Sequence, residues 1–194
     1  MIRNHIECYE NHISSKKCDS LIDIFHKNES ILHEDIHRNY TVMHCNIHNF
    51  GDAFQQDLWE AMEKYMETYT YLEEMYCSWD LEENFNIQMY HPGKSYGGEH
   101  HEHDGSEVGS KRHLAWMIYL NDVNDGGGTY WPQQQVETKA RKGSMVIWPA
   151  SWTHSHYGLV SPTEKKYIVT GWGRTQPANL NICWNLDINK VEVL

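Results

Sequence analysis

From Asn84 to Arg174 the chain is cut into short apolar runs by glycine, proline and asparagine, and that punctuation limits the folds open to it. NFNIQMYH alternates with the period of a strand: Phe85, Ile87 and Met89 share one face, Asn86, Gln88 and Tyr90 the other. RHLAWMIYLN is apolar on both faces, as a central strand is. GTYWP, GSMVIWPA, HSHYGL and KYIVTGWG read as further strands, with HPGKSYGG and NDVNDGGG as turn-rich connections. Many short strands with turns between them predict a sandwich or barrel.

The N-terminal part reads differently. SSKKCDSLIDIFHKN has a serine start, and Cys18, Leu21, Ile22 and Phe25 recur at helical spacing. HRNYTVMHCNIHN is rich in β-branched residues and alternates, which predicts a strand. A long helix is expected from Asp52 to Cys77, with Phe54, Leu58, Met62, Tyr65, Tyr69 and Leu72 as its apolar stripe. No shift in composition marks a linker. The expectation is a single domain over 1–194, with a helical support region at 1–80 and a barrel core at 84–175.

Composition removes several functions. The 194 residues carry a formal charge of -11, which argues against general attraction to nucleic acid or an anionic membrane. No N-terminal stretch resembles a signal peptide, and no apolar run is long enough to span a bilayer. The five cysteines are widely scattered and odd in number, without a CxxC pair. They are expected to be free thiols in a reducing cytoplasm.

The densest chemistry lies in GGEHHEHDG, where His100, His101, Glu102, His103 and Asp104 are consecutive. Residues two apart on a strand share a side, so His100 with Glu102 and His101 with His103 form two rival pairs. A third ligand has to come from elsewhere, and HSH supplies His154 and His156. Two histidines and one carboxylate on one side of an ion leave open positions, an arrangement suited to non-haem Fe(II) oxygenases. A solvated surface cluster is the competing explanation for such a run. On KYIVTGW, Lys166, Ile168, Thr170 and Trp172 share one face.

Read together, Asn84 to Arg174 resembles the 2-oxoglutarate and Fe(II)-dependent dioxygenases of the prolyl 4-hydroxylase-like branch. The resemblance is carried by Tyr-x-Pro-Gly at Tyr90 to Gly93, His-x-Glu at His100 to Glu102, RHLAWMIYLNDVNDGGGTYW, KGSMVIWP, His156, Lys166 and the closing TGWGR. Their order and spacing are more specific than any one of them. The implied fold is mainly β with N-terminal helices: a double-stranded β-helix, or jelly-roll barrel, braced by α-helices.

The resemblance implies roles. Tyr90 precedes His100 by ten residues and His156 precedes Lys166 by ten, whereas ten after His154 falls on Glu164. Iron is therefore expected on His100, Glu102 and His156. Lys166 is expected to pair with the distal carboxylate of 2-oxoglutarate, with Tyr90 and Tyr119 as hydroxyls near that cosubstrate and Trp172 walling the iron. The branch usually has Asp where this chain has Glu102. The implied cofactors are Fe(II), 2-oxoglutarate and O2, with ascorbate as reductant. Oxidative decarboxylation would release succinate and CO2 while an unactivated C–H bond is hydroxylated.

The leading substrate is a peptidyl proline, with another peptide or a small molecule as the alternative. Tyr96, Tyr130 and Trp131 are candidates to grip it. Gly126 to Gly128 allow a mobile or a tight loop. His101, His103 and Asp104 are expected at the rim, and Arg112 and His113 on the surface. A rival reading is a cupin-like metal-binding protein without turnover. A hydrolytic zinc enzyme is a third reading, but no carboxylate is clearly placed as its general base.

Overall fold

The computed structural model describes residues 4–36, 40–50, 53–72 and 79–175. In chain order these form β1 (Glu7–Tyr9), α1 (Ser15–Lys27), β2 (His33–Asp35), β3 (Tyr40–Asn46), α2 (Gln55–Thr68), β4 (Trp79–Leu81), β5 (Asn84–Tyr90), β6 (Arg112–Tyr119), β7 (Thr129–Trp131), β8 (Val136–Thr138), β9 (Met145–Pro149), β10 (Tyr157–Gly158) and β11 (Lys166–Thr175). The strands build an antiparallel sheet in the order β1-β9-β6-β11-β5-β3-β2, with β4 also on β11, and a smaller sheet β10-β7-β8. The architecture is the helix-braced jelly roll that the resemblance implies, and it falls within the sandwich or barrel that the strand pattern predicts.

Strand alternation sorts the side chains into two cores. Phe85, Ile87 and Met89 of β5, Leu114, Trp116 and Ile118 of β6, and Val169 of β11 point to the helices. There they meet Cys18, Leu21 and Phe25 of α1 and Leu58, Met62 and Tyr65 of α2. The opposite faces supply Tyr90, Ala115, Met117, Tyr119, Val146 and Ile168 to a second core, closed by Trp131 and Trp148. Each large apolar side chain buried this way contributes roughly 1.5–3 kcal/mol. The helices thus brace one side of the large sheet and leave its other side to form the cavity.

The helix starts as its sequence dictates, with Ser14 Oγ accepting from the Lys17 amide. The second helix is shorter than expected. It stops at Thr68 rather than Cys77, and a 3-10 turn follows at Thr70–Leu72. Thr68 turns its hydroxyl back to the Lys64 carbonyl, and the Tyr69 amide is shared between Tyr65 and Met66, which tightens the last turn. The expected residues beyond Leu72 lie outside the described ones. Likewise β3 covers Tyr40–Asn46, and Asn46 then caps a 3-10 turn by accepting from the His48 amide.

Cys8, Cys18 and Cys45 are free thiols; Cys77 and Cys183 lie outside the described residues. Among the described residues no helix is long and apolar enough to cross a membrane.

Candidate metal centre

His100 and His156 arrive from different parts of the chain and are locked together by backbone. The His100 amide donates to the His156 carbonyl at 3.0 Å, and the His156 amide to the His100 carbonyl at 2.8 Å. Two residues on, the Glu102 amide donates to the Ala150 carbonyl, just after β9. The segment is not a continuous strand, yet the two ends bring His100 and Glu102 to the same side. HSH is not a strand either: Trp152–His154 is a 3-10 turn, and His156 alone bridges to His100.

The three side chains converge. One ligand atom from each of His100, Glu102 and His156 lies within 4.8 Å of the others. Glu102 Oε1 sits 3.3 Å from His100 Nε2 and 3.6 Å from His156 Nε2. The other ring nitrogens are spoken for: His100 Nδ1 donates to the Gly98 carbonyl and His156 Nδ1 to the His154 carbonyl. That tautomer directs both Nε2 lone pairs to the same point, as in histidines that ligate metals. Burial pushes the Glu102 carboxyl up; when both imidazoles also carry a proton on Nε2, their hydrogen bonds and charges outweigh that push and hold the group well below the usual carboxylate range. Two imidazole nitrogens and one carboxylate oxygen facing one point form a donor set that fits Fe(II).

The rival register is not assembled. His101 and His103 are exposed, and His103 Nδ1 is tied to the Arg112 carbonyl. His154 is turned toward the N-terminal segment, where its Nε2 meets the Asn4 carbonyl at 2.9 Å. Glu164, ten residues after His154, accepts from the Asn124 and Asp125 amides instead of entering the cavity.

The convergent groups line a cavity of about 600 Å³ between the sheets. Lys166, 4% exposed, lines it too, with Ile168, Thr170 and Trp172 from the same face of β11. Tyr90 stands across from Lys166 on β5, and its hydroxyl donates to Gln88 Oε1 at 2.7 Å. No carboxylate among the described residues is within ion-pair reach of Lys166. Burial alone brings its ammonium down to about 8. A buried cation without an anion is costly, so this end of the cavity is built to receive a negative group.

Several expected residues sit elsewhere. Tyr119 is not on the cavity wall. Its hydroxyl lies 2.9 Å from both Thr129 and Thr138 Oγ1 inside the second core, and only Thr129 of the three reaches the cavity. Burial pushes that hydroxyl up to about 12. Trp131 is a core residue as well, packed against Trp148 and His156. Tyr130 pairs with Tyr157, whereas Tyr96 does line the cavity, its ring centroid 4.1 Å from that of His100. The Gly126–Gly128 loop is tight. Gly126 and Gly127 have φ of 79° and 74°, and a Cβ at Gly128 would fall 2.0 Å from the Thr138 carbonyl oxygen.

Arg112 is the residue that strand reading misplaces. Strict alternation with Leu114 would aim it at the helices. The register between β6 and β11 shifts at Gly173/Arg174, so that Arg174 pairs with Arg112 and His113 is left over. This bulge turns Arg112 into the cavity. Its guanidinium stacks 3.5 Å from the Trp172 ring centroid and pairs with buried Glu82 at 3.5 Å and with Glu102 at 3.7 Å.

Residues 85–174 match the family model described as the 2OG-Fe(II) oxygenase superfamily. A probable prolyl 4-hydroxylase 9 of Arabidopsis thaliana is 26% identical over 119 residues, 48% of this chain. The match spans 41% of that relative, so the chain corresponds to under half its length. Among solved structures, a viral collagen prolyl hydroxylase of Paramecium Bursaria Chlorella virus-1, in a 2-oxoglutarate complex, superposes with a TM-score of 0.70 at 19% identity. That superposition covers 89% of this chain and 97% of the viral one. A Trichoplax adhaerens prolyl hydroxylase in complex with a hypoxia inducible factor peptide fragment gives 0.63 at 11% identity, covering 88% and 84%.

Proposed function

Residues 85–174 match the 2OG-Fe(II) oxygenase superfamily model and resemble a prolyl 4-hydroxylase, and from that likeness we propose that the chain hydroxylates an unactivated C–H bond using Fe(II), 2-oxoglutarate and dioxygen. The observation that carries the proposal is the pairing of two features in one cavity: a His-Glu-His donor set and, on its wall, a buried lysine without a carboxylate partner.

Within this reading, His100, Glu102 and His156 hold the iron, and Lys166 holds the distal carboxylate of 2-oxoglutarate. The ring of Tyr90 packs under the Lys166 ammonium, and Ile168 and Met117 add apolar lining to the cavity. Bound iron and cosubstrate supply the oxidising chemistry, with succinate and CO2 as the products derived from 2-oxoglutarate. The chain's own part is to orient, to desolvate and to leave room for the substrate. No side-chain acid or base is asked to move a proton. Ascorbate would serve only as an external reductant.

The preferred substrate is a peptidyl proline. Prolyl hydroxylase relatives favour it, and so do the aromatic rings of Tyr40, Tyr96 and Trp172 around the cavity, which suit a small apolar ring. The free thiols of Cys8, Cys18 and Cys45 fit a reducing, cytoplasmic setting. The helices share a core with the large sheet, which favours treating them as one domain.

The experiment is succinate release from 2-oxoglutarate by the Fe(II)-loaded protein, with and without proline-containing peptides. Peptide-stimulated release with hydroxyproline formation is expected. A metal-binding protein without turnover would bind Fe(II) and release no succinate under either condition.

A further inference from the structure

The two oxygens of Glu102 have different neighbours. Oε1 faces His100 Nε2 and His156 Nε2. Oε2 accepts a 2.7 Å hydrogen bond from the Trp172 indole Nε1 and has Arg112 Nη1 at 3.7 Å. The indole is itself held, because the Arg112 guanidinium lies 3.5 Å from its ring centroid and is paired with buried Glu82 at 3.5 Å.

This division matters because the ligand is glutamate. Its additional methylene and free terminal torsion let both oxygens swing onto one ion. Two imidazoles and a chelating carboxylate would leave an octahedral ion only two free positions, and a 2-oxo acid, which itself chelates, would fill both. Dioxygen would then have no place. A carboxylate held to one oxygen leaves a third position free.

We propose that Trp172 is a positioning residue: its indole N–H reserves Glu102 Oε2, so that Glu102 presents a single oxygen to the metal and one coordination position stays open. Arg112 acts through Trp172 by fixing the plane of the ring. The proposal rests on the iron assignment above and adds a role that wall packing would not require.

The test uses the full chain and two probes. X-ray absorption of the protein loaded with Co(II) alone reads whether the carboxylate binds through one oxygen or two. Nitric oxide added anaerobically to the Fe(II)–2-oxoglutarate protein reads the open position by electron paramagnetic resonance. Trp172→Phe keeps the ring and removes the N–H. It should shift the carboxylate to two-oxygen binding and weaken nitric oxide binding by about tenfold or more, the usual scale for loss of a partner that orients a ligand. In a Glu102→Asp background, where the shorter carboxylate withdraws from the indole, adding Trp172→Phe should change neither readout. One-oxygen binding in Trp172→Phe, or equal losses in both backgrounds, would overturn the proposal. If the native protein took up no 2-oxoglutarate, the oxygenase reading would fail, and the Co(II) spectra would still decide this one.

Discussion

Lys166 and Tyr90 are direct partners across β11 and β5, and the Lys166 ammonium lies 4.8 Å from the centre of the Tyr90 ring. The ring offers a buried cation a weak electrostatic partner, not a counter-ion. Among the described residues no carboxylate pairs with this lysine at the polar end of the cavity, so its titration should report on an anion that binds there.

The first consequence concerns pH. Burial brings the Lys166 ammonium down to about 8 from its ordinary 10.5. Below about pH 8 folding bears the full cost of burying the charge. That cost is relieved as pH rises from about 8 to 10.5, because the unfolded chain still binds the proton there. Binding of a dicarboxylate needs the charged form. Anaerobic 2-oxoglutarate affinity should be flat below pH 8 and fall about tenfold per unit above it. A profile that stays level through pH 9 would remove Lys166 from the cosubstrate site.

The same group predicts an inverse relation between stability and binding. Lys166→Met should make the ligand-free protein more stable at pH 7, by about 2–3 kcal/mol in denaturant melts. The same substitution should weaken 2-oxoglutarate binding by a factor of tens to thousands, the scale for losing a closed charge-assisted contact. Exposed Lys165, just before β11, should tolerate alanine in both measurements.

Tyr119→Phe should separate the core from the cavity. It leaves the hydroxyls of Thr129 and Thr138 short of a buried partner, at a cost of about 1–2 kcal/mol in unfolding free energy. Calorimetric titration should find 2-oxoglutarate affinity within about twofold of the native value, inside the spread expected where no contact is lost. A large loss of affinity with unchanged stability would put Tyr119 back in the site.

The parts legible in the sequence were those governed by local period. The β5 alternation separates helix core from cavity correctly, residue by residue, because one face must be apolar and the other need not be. The face shared by Lys166, Ile168, Thr170 and Trp172 follows from the same rule. What local period could not supply is pairing at a distance. The bulge opposite Arg174 reverses the face of Arg112, and nothing in RHLAWMIY announces it. Trp131 reads as a candidate to grip the substrate, but it is buried by Trp148 and His156 from other segments. The early end of α2 depends on a shared amide at Tyr69, a detail that an unbroken apolar stripe hides.

The choice among neighbouring histidines follows from where their nitrogens point. His100→Ala, Glu102→Ala and His156→Ala should each remove Fe(II) binding while the fold is retained. His101→Ala and His103→Ala should keep it. His154→Ala should also keep it but lose about 1 kcal/mol of stability with the Asn4 contact. Metal content after dialysis, set beside thermal melts, reads both effects.

The central claim is that one cavity holds iron at His100, Glu102 and His156 and 2-oxoglutarate against Lys166. Its most direct measurement is an anaerobic titration of 2-oxoglutarate into the Fe(II)-loaded protein, followed by the visible absorption of the chelate and repeated for Lys166→Ala and His156→Ala. The account predicts a saturable band in the native protein. In Lys166→Ala the same band should need far more 2-oxoglutarate although Fe(II) binds normally, and in His156→Ala there should be no band. A band of native affinity in either variant would contradict it.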